Sequence, residues 1–393
     1  MKTCVISPGV VHAVPRTLAM APYLDEVHFI DMTGTADRAA LELAGVRYHL
    51  PGEGGSSRLA SVNLQRLLAR LAPDVIVCHY GSGDHFFNAI AYGHCPVAVI
   101  AMGNDVLYDD GDARVSPMRR LLTRLGLRQA AHVSAKSKFI AAALRRLGVR
   151  DNVDINYWGS DLQRFRPGNR AGARRQLGLP PDGLLVLSPR ALEPRLNIQL
   201  VVEAFNQMVK RHPEAELVIL GRSMPGYRAQ VVAAVGRLGL AGQVRLLDEL
   251  SQDRLAPWYQ ASDVVVSVGS VEGFPNTVLE VMACGVPVLV GDIPQIRELL
   301  TDGVNARVCA IDVAAIASGL LTLLDDPAAA RAMGLRGRDT ALDAGDIDVN
   351  GRRFAAQVRS AAGGAAPGFL ALLRFRALLL LYVLLKRGFP NVC

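Results

Sequence analysis

Glu272-Gly273-Phe274-Pro275-Asn276-Thr277-Val278-Leu279-Glu280 runs directly into Val281-Met282-Ala283-Cys284-Gly285-Val286-Pro287-Val288-Leu289-Val290. One apolar run, residues 264–268, leads into this stretch, and another, 286–290, leads out of it. Between them the composition is that of a turn followed by a helix. Pro275 suits the first turn, where its missing N–H costs nothing. Asn276 and Thr277 are both cap-forming residues for a helix that reaches Cys284. The N–H groups and dipole at such a helix start make a phosphate site. Glu280 stands one turn in, where a carboxylate can accept two hydrogen bonds from a ribose diol. Glu272 precedes the turn, beside whatever the phosphate carries, and Gly273 lets the backbone approach a ligand closely. Spacing alone leaves a second reading open, in which both glutamates simply favour a helix N-terminus electrostatically.

Outward from this element the same alternation recurs. Apolar runs fall at 3–7, 27–31, 46–50, 75–79, 97–101 and 132–135, then at 184–188, 216–220, 244–247, 264–268 and 286–290. Helical patterns separate them, notably at 58–71, 119–131, 198–211 and 227–238. Strands alternating with helices predict parallel sheets built from βαβ units. In open sheets of this kind ligands bind beyond the carboxyl ends of the strands. A chain of 393 residues suits two domains. Half its residues are hydrophobic, enough for a core in each. A polar stretch rich in Gly, Pro and Arg, 164–183, divides the halves. The expected organisation is α/β, with Rossmann-like, doubly wound domains over 1–165 and 184–350. A linker over 166–183 joins them, and a tail follows over 351–393.

The quoted stretch resembles the E-x7-E signature of retaining glycosyltransferases of the GT-B type, family 4. Ser188-Pro189-Arg190-Ala191-Leu192-Glu193-Pro194-Arg195-Leu196-Asn197-Ile198 is similar to the phosphate-binding strand-loop-helix of that family. Trp158-Gly159-Ser160-Asp161 resembles its interdomain segment, and Gly103-Asn104-Asp105-Val106-Leu107 a loop of some members. The resemblance implies two domains facing a cleft and transfer of a sugar from a nucleotide-activated donor with retention of configuration. It implies that Arg190 and Arg195 neutralise the donor diphosphate, a task that the guanidinium fork fits. Many relatives carry Lys at the second position. Glu280 would hold the ribose and Glu272 the donor sugar. The backbone of Gly273, Phe274, Asn276 and Thr277 would line sugar and phosphate. Preorganised donors and cations stabilise a leaving diphosphate without a metal, so no cofactor is expected.

Two departures from the family pattern concern the first half. Relatives often carry His where this chain has Met102, and paired glycines where it has Ser7-Pro8-Gly9-Val10. Gly9 could bring the loop close to a phosphate, or form an ordinary turn. Asp105 is a candidate on the acceptor side. His79 and His85 flank Tyr80-Gly81-Ser82-Gly83-Asp84 at the end of a strand. His85 is a second acceptor-side candidate, set against a purely structural role.

The six cysteines are scattered without a C-x-x-C pair, which points to buried thiols in a reducing cytosol rather than to disulfides or a metal. Pro8, Pro15 and Arg16 interrupt any export-signal core, so no export is expected. The net charge is +7, and residues 114–150 hold ten Arg and Lys with no Asp or Glu. Arg120, Arg124 and Arg128 share one helical face, which either rests on anionic lipid or is simply solvated. Aromatic residues are not interleaved with these cations, which argues against nucleic acid. Residues 377–385 are nine apolar residues in a row flanked by cations, too few to span a bilayer. A helix from 369 would lie on a membrane or pack on the first domain.

The function expected from all this is transfer from a nucleotide-sugar to a saccharide or lipid-linked acceptor. The expected place is the cytoplasm, peripheral on the inner face of the membrane, in polysaccharide or glycolipid synthesis. A nucleotide-sugar epimerase or phosphorylase, and a catalytically silent scaffold, are the alternatives. Donor base, sugar and acceptor are not legible.

Overall fold

The computed structural model describes residues 1–9, 12–51, 57–103, 105–107, 115–149 and 153–388. Val10, Asn104, Arg114, Arg150 and Cys393 lie outside the described residues. The chain forms two compact units, one of Met1–Trp158 with Ile347–Cys393 and one of Gly159–Asp346.

In the first unit β1 (Lys2–Ser7), α1 (Ala13–Met20), β2 (Glu26–Asp31), α2 (Arg38–Leu43) and β3 (Arg47–His49) build one half of a sheet. Then α3 (Ser57–Leu71), β4 (Val75–His79), α4 (Asp84–Tyr92), β5 (Val97–Ala101), α5 (Pro117–Gln129), β6 (His132–Ala135), α6 (Lys138–Arg146) and β7 (Val153–Ile155) build the other. The strand order is β3-β2-β1-β4-β5-β6-β7, all parallel. Every residue of β4 and β5 is buried. A parallel strand covered by helices on both faces requires such unbroken apolar runs.

The second unit contains α7 (Arg170–Leu177), β8 (Leu184–Ser188), α8 (Ile198–Met208), β9 (Ala215–Leu220), α9 (Tyr227–Arg237), β10 (Val244–Leu247) and α10 (Gln252–Ala261). It continues through β11 (Val264–Ser267), α11 (Asn276–Ala283), β12 (Val288–Gly291), β13 (Arg307–Cys309), α12 (Val313–Asp325) and α13 (Pro327–Ala344). Its order is β10-β9-β8-β11-β12-β13, again all parallel. Each sheet reverses its strand order once, between β1 and β4 and between β8 and β11. At such a reversal the connections leave toward opposite faces and open a crevice at the strand ends.

The units divide at 158/159 and 346/347, not at the expected 165 and 350. The stretch expected as a linker, 166–183, holds α7. Asn169 caps it, accepting from the Gly172 N–H at 3.0 Å. Arg174 is buried and donates to Asp263 at 2.8 Å and to the Ala261 carbonyl at 3.0 Å. The Arg-rich composition thus marks a docked helix whose cation closes off α10 and the start of β11. Two edge strands, β7 and β13, were not expected. At three residues each, and paired on one side only, they carry too short an apolar run to announce themselves.

After the second unit, α14 (Ile347–Ala362) and α15 (Phe369–Gly388) return to the first. α14 packs on α1, β4, β5 and β6, with Phe354 edge-on to Trp158 at 5.0 Å. α15 packs on α4 and α5, with Phe375 and Tyr382 edge-on to Phe87 at 6.4 and 6.0 Å. Among the described residues no single helix is long and apolar enough to cross a membrane.

Candidate functional site

β8 and β11 are hydrogen-bonded neighbours, Val264 opposite Val186 and Val265 opposite Leu187. The chain leaves both at the reversal of the second sheet. Arg190 follows β8 by two residues, Glu272 follows β11 by five, and the two form an ion pair. Their side chains are 12% and 7% exposed. Burial, with Arg195 nearby, pushes the Arg190 guanidinium down to about 10, so it stays charged at neutral pH. Glu280 and Glu193 lie close enough to favour that charge.

The surrounding loops hold this pair in place. Arg195 donates from Nε to Glu193 at 2.9 Å and toward the Val271 carbonyl at 3.4 Å, while its own carbonyl accepts from the Ser270 N–H at 2.9 Å. Asn197 donates from Nδ2 to the Val268 carbonyl at 2.7 Å and to Ser270 Oγ at 2.6 Å. A Cβ on Gly269 would lie 2.9 Å from the Glu272 carboxyl carbon, so only glycine leaves that side chain its place. Gln295, buried after β12, donates from Nε2 to the Glu272 carbonyl at 2.9 Å.

α11 starts where the sequence places a helix, but neither Asn276 nor Thr277 caps it. Pro275 takes the cap position with extended backbone (φ −68°, ψ 124°), and no side chain caps the helix. Phe274 is wholly buried. Glu280 is buried on α11 and accepts from the Tyr259 hydroxyl at 2.8 Å. Burial and the Glu280 charge hold the Tyr259 hydroxyl well above its usual range, so it remains a donor. Arg190, Arg195, Glu272, Gly273, Asn276, Thr277 and Glu280 thus belong to one unit, the first four on the connections that follow β8 and β11 and the last three on α11. Tyr259 and Gln295 went unread in the sequence: each acts through burial against a partner 21 or 23 residues away, which no local pattern announces.

The first-unit candidates have other duties. Gly9 adopts φ +82°, and the Thr33 side chain fills the space a Cβ would need, which makes it a turn glycine. Asp105 is buried and accepts from the N–H groups of Gly81 (2.7 Å), Met102 (2.9 Å) and Gly103 (2.8 Å). Its carboxylate ties the loop after β4 to the loop after β5. His85 is buried, with Nε2 at 2.7 Å from the His79 carbonyl, and burial pushes it down to about 4. A ring neutral at pH 7 that donates to a backbone carbonyl is a structural hydrogen-bonder. Where relatives have His, the Met102 sulfur accepts from Arg16 at 2.7 Å. Arg16 is wholly buried and lies over the Trp158 ring at 5.2 Å.

Residues 169–340 match the family model described as glycosyl transferases group 1, and residues 18–159 match the glycosyl transferase 4-like domain. D-inositol 3-phosphate glycosyltransferase 2 of Catenulispora acidiphila is 32% identical over 177 residues, which cover 43% of this chain and 42% of that one. The chain spans about half the length of the curated relatives it matches. Among solved structures, HepE of Anabaena in complex with UDP and glucose has a TM-score of 0.76 at 20% identity, covering 92% of this chain and 100% of that one. Sucrose-phosphate synthase of Thermosynechococcus elongatus has a TM-score of 0.78 at 20% identity, covering 92% and 98%. These two likenesses are likenesses of fold.

Proposed function

We propose that this chain, which belongs to the group 1 glycosyl transferases, moves a sugar from a nucleoside diphosphate donor to a saccharide or lipid-linked acceptor, retaining the anomeric configuration. The observation that carries this reading is the buried Arg190–Glu272 pair at the reversal of the second sheet, with Glu280 beside it. A cation held there by a carboxylate is a cation that an incoming diphosphate can share. Arg190 and Arg195 meet the diphosphate and stabilise its charge as the bond to the sugar breaks. The start of α11 adds its dipole. Glu280, oriented by Tyr259, takes the ribose hydroxyls. Glu272 turns to the sugar hydroxyls, with the backbone of Gly273, Phe274, Asn276 and Thr277 lining the sugar and phosphate. Charge stabilisation comes from these groups, and no metal is invoked.

The acceptor belongs to glycan or glycolipid synthesis, and the enzyme works in the cytoplasm at the inner face of the membrane. HepE was solved with UDP, and the curated relatives carry the name D-inositol 3-phosphate glycosyltransferase. A uridine donor and phosphorylated polyols therefore stand first in a screen. Calorimetry with UDP, GDP and ADP tests the donor site. One nucleotide should bind at micromolar strength, and Glu280→Ala should weaken it about tenfold or more, the loss of a charged hydrogen-bonding group. No binding of any of the three to folded protein overturns the reading. Donor turnover without acceptor would point to an epimerase or phosphorylase instead.

A further inference from the structure

α15 is apolar nearly all round, and the fold uses only one side of it. Leu372, Phe375 and Tyr382 turn inward onto the α4–α5 side and are at most 8% exposed. Phe369, Leu370, Leu373, Leu380, Leu381 and Leu384 are 44 to 77% exposed. Their spacing places them on one face of the helix, opposite the packed one. A helix of 20 residues is about 30 Å long. An exposed apolar row on that scale marks a contact with an apolar phase or partner.

Charge decides which. α15 contains Arg374, Arg376, Lys386 and Arg387 and no Asp or Glu. Arg376 donates to the Ala91 and Tyr92 carbonyls and Lys386 pairs with Asp84 of α4 at 3.1 Å, which among the described side chains leaves Arg374 as the exposed cation beside the leucine row. α5, packed beside it, contains no acid either and exposes Arg124, Arg128 and Leu121. Pairing this face with a second copy of itself would set cations against cations. An anionic bilayer offers the complement to both parts, phosphates for the arginines and acyl chains for the leucines. One side of this helix is packed on α4 and α5, and among the described residues no single helix is long and apolar enough to cross a membrane, so on a bilayer it would lie along the surface.

We propose that α15 seats the protein on anionic lipid, its leucine row entering the acyl boundary and Arg374 of α15, with Arg124 and Arg128 of α5, meeting the headgroups. This specifies the membrane-facing surface of the enzyme proposed above and rests on that location. Its test needs no donor, so either reading can fail alone. The full chain is floated with vesicles of phosphatidylcholine, with and without phosphatidylglycerol. Wild type should bind the anionic vesicles about tenfold better than the neutral ones. Leu380→Asp with Leu384→Asp should reduce binding about tenfold at unchanged melting temperature. Arg124→Glu with Arg128→Glu should abolish the preference for anionic lipid. Absence of flotation, unchanged flotation of the leucine variant, or a wild-type dimer that the leucine variant dissolves would each overturn the proposal.

Discussion

Arg190 and Glu272 neutralise each other where little water reaches either, so each depends on the other. Arg190→Met should cost roughly 3 kcal/mol by leaving a buried carboxylate unpaired, read as a lower midpoint in denaturant. Tyr259→Phe removes the hydroxyl that orients Glu280. It should cost about 1.5–3 kcal/mol, the range for a hydrogen bond to a charged group, and weaken nucleotide binding several-fold by calorimetry. His85 yields a pH prediction. Its folded value, about 4, lies below its ordinary 6.5, so the neutral ring contributes fully above pH 6.5. That contribution is lost as pH falls toward 4. Stability measured from pH 7 to 4 should fall, and His85→Gln, which keeps an N–H for the His79 carbonyl, should flatten part of the slope. His79, also pulled down by burial, accounts for part of the remainder. The turn and helix start that carry Glu272 and Glu280 were legible because their signals are local. The burial and backbone hydrogen bonds of Asp105 and His85, both expected on the acceptor side, were not legible because burial is not written locally. A carboxylate engaged by three backbone N–H groups looks the same in sequence as one facing a ligand.

At the scale of elements, the strands buried on both faces were the plainest. Unbroken runs such as Val75–His79 and Val97–Ala101 coincide with β4 and β5 to the residue. The edge strands β7 and β13 and the polar α7 escaped, the first two for lack of an apolar run and the last because its arginine works inside. α14 shows how an element is held by its contacts. Phe354, wholly buried between Trp158 and His132, anchors it across the first sheet. Phe354→Ala should destabilise by about 3–5 kcal/mol while leaving nucleotide binding to the second unit intact. A thermal melt and a nucleotide titration on the same sample check both halves of that expectation.

For the whole molecule, the decisive feature is that one unit is continuous and the other is not. The second unit has its own core, from Val186 to Met333, within one stretch of chain. The first relies on Phe354, Ala355 and Val358 of α14 to close the core around Val5, Phe29 and Trp158. Residues 159–346 expressed alone should unfold cooperatively, whereas 1–158 alone should aggregate unless 347–388 is supplied, an outcome that light scattering and circular dichroism distinguish. The two-domain plan was legible from alternating runs. The return of the chain was only half legible, because a helix after the second sheet carries no mark of which sheet it covers. The return also sets an order during synthesis. On the ribosome residues 159–346 are complete while the sheet translated before them still waits for α14, so of these two sheets the earlier to be translated is the later to be finished.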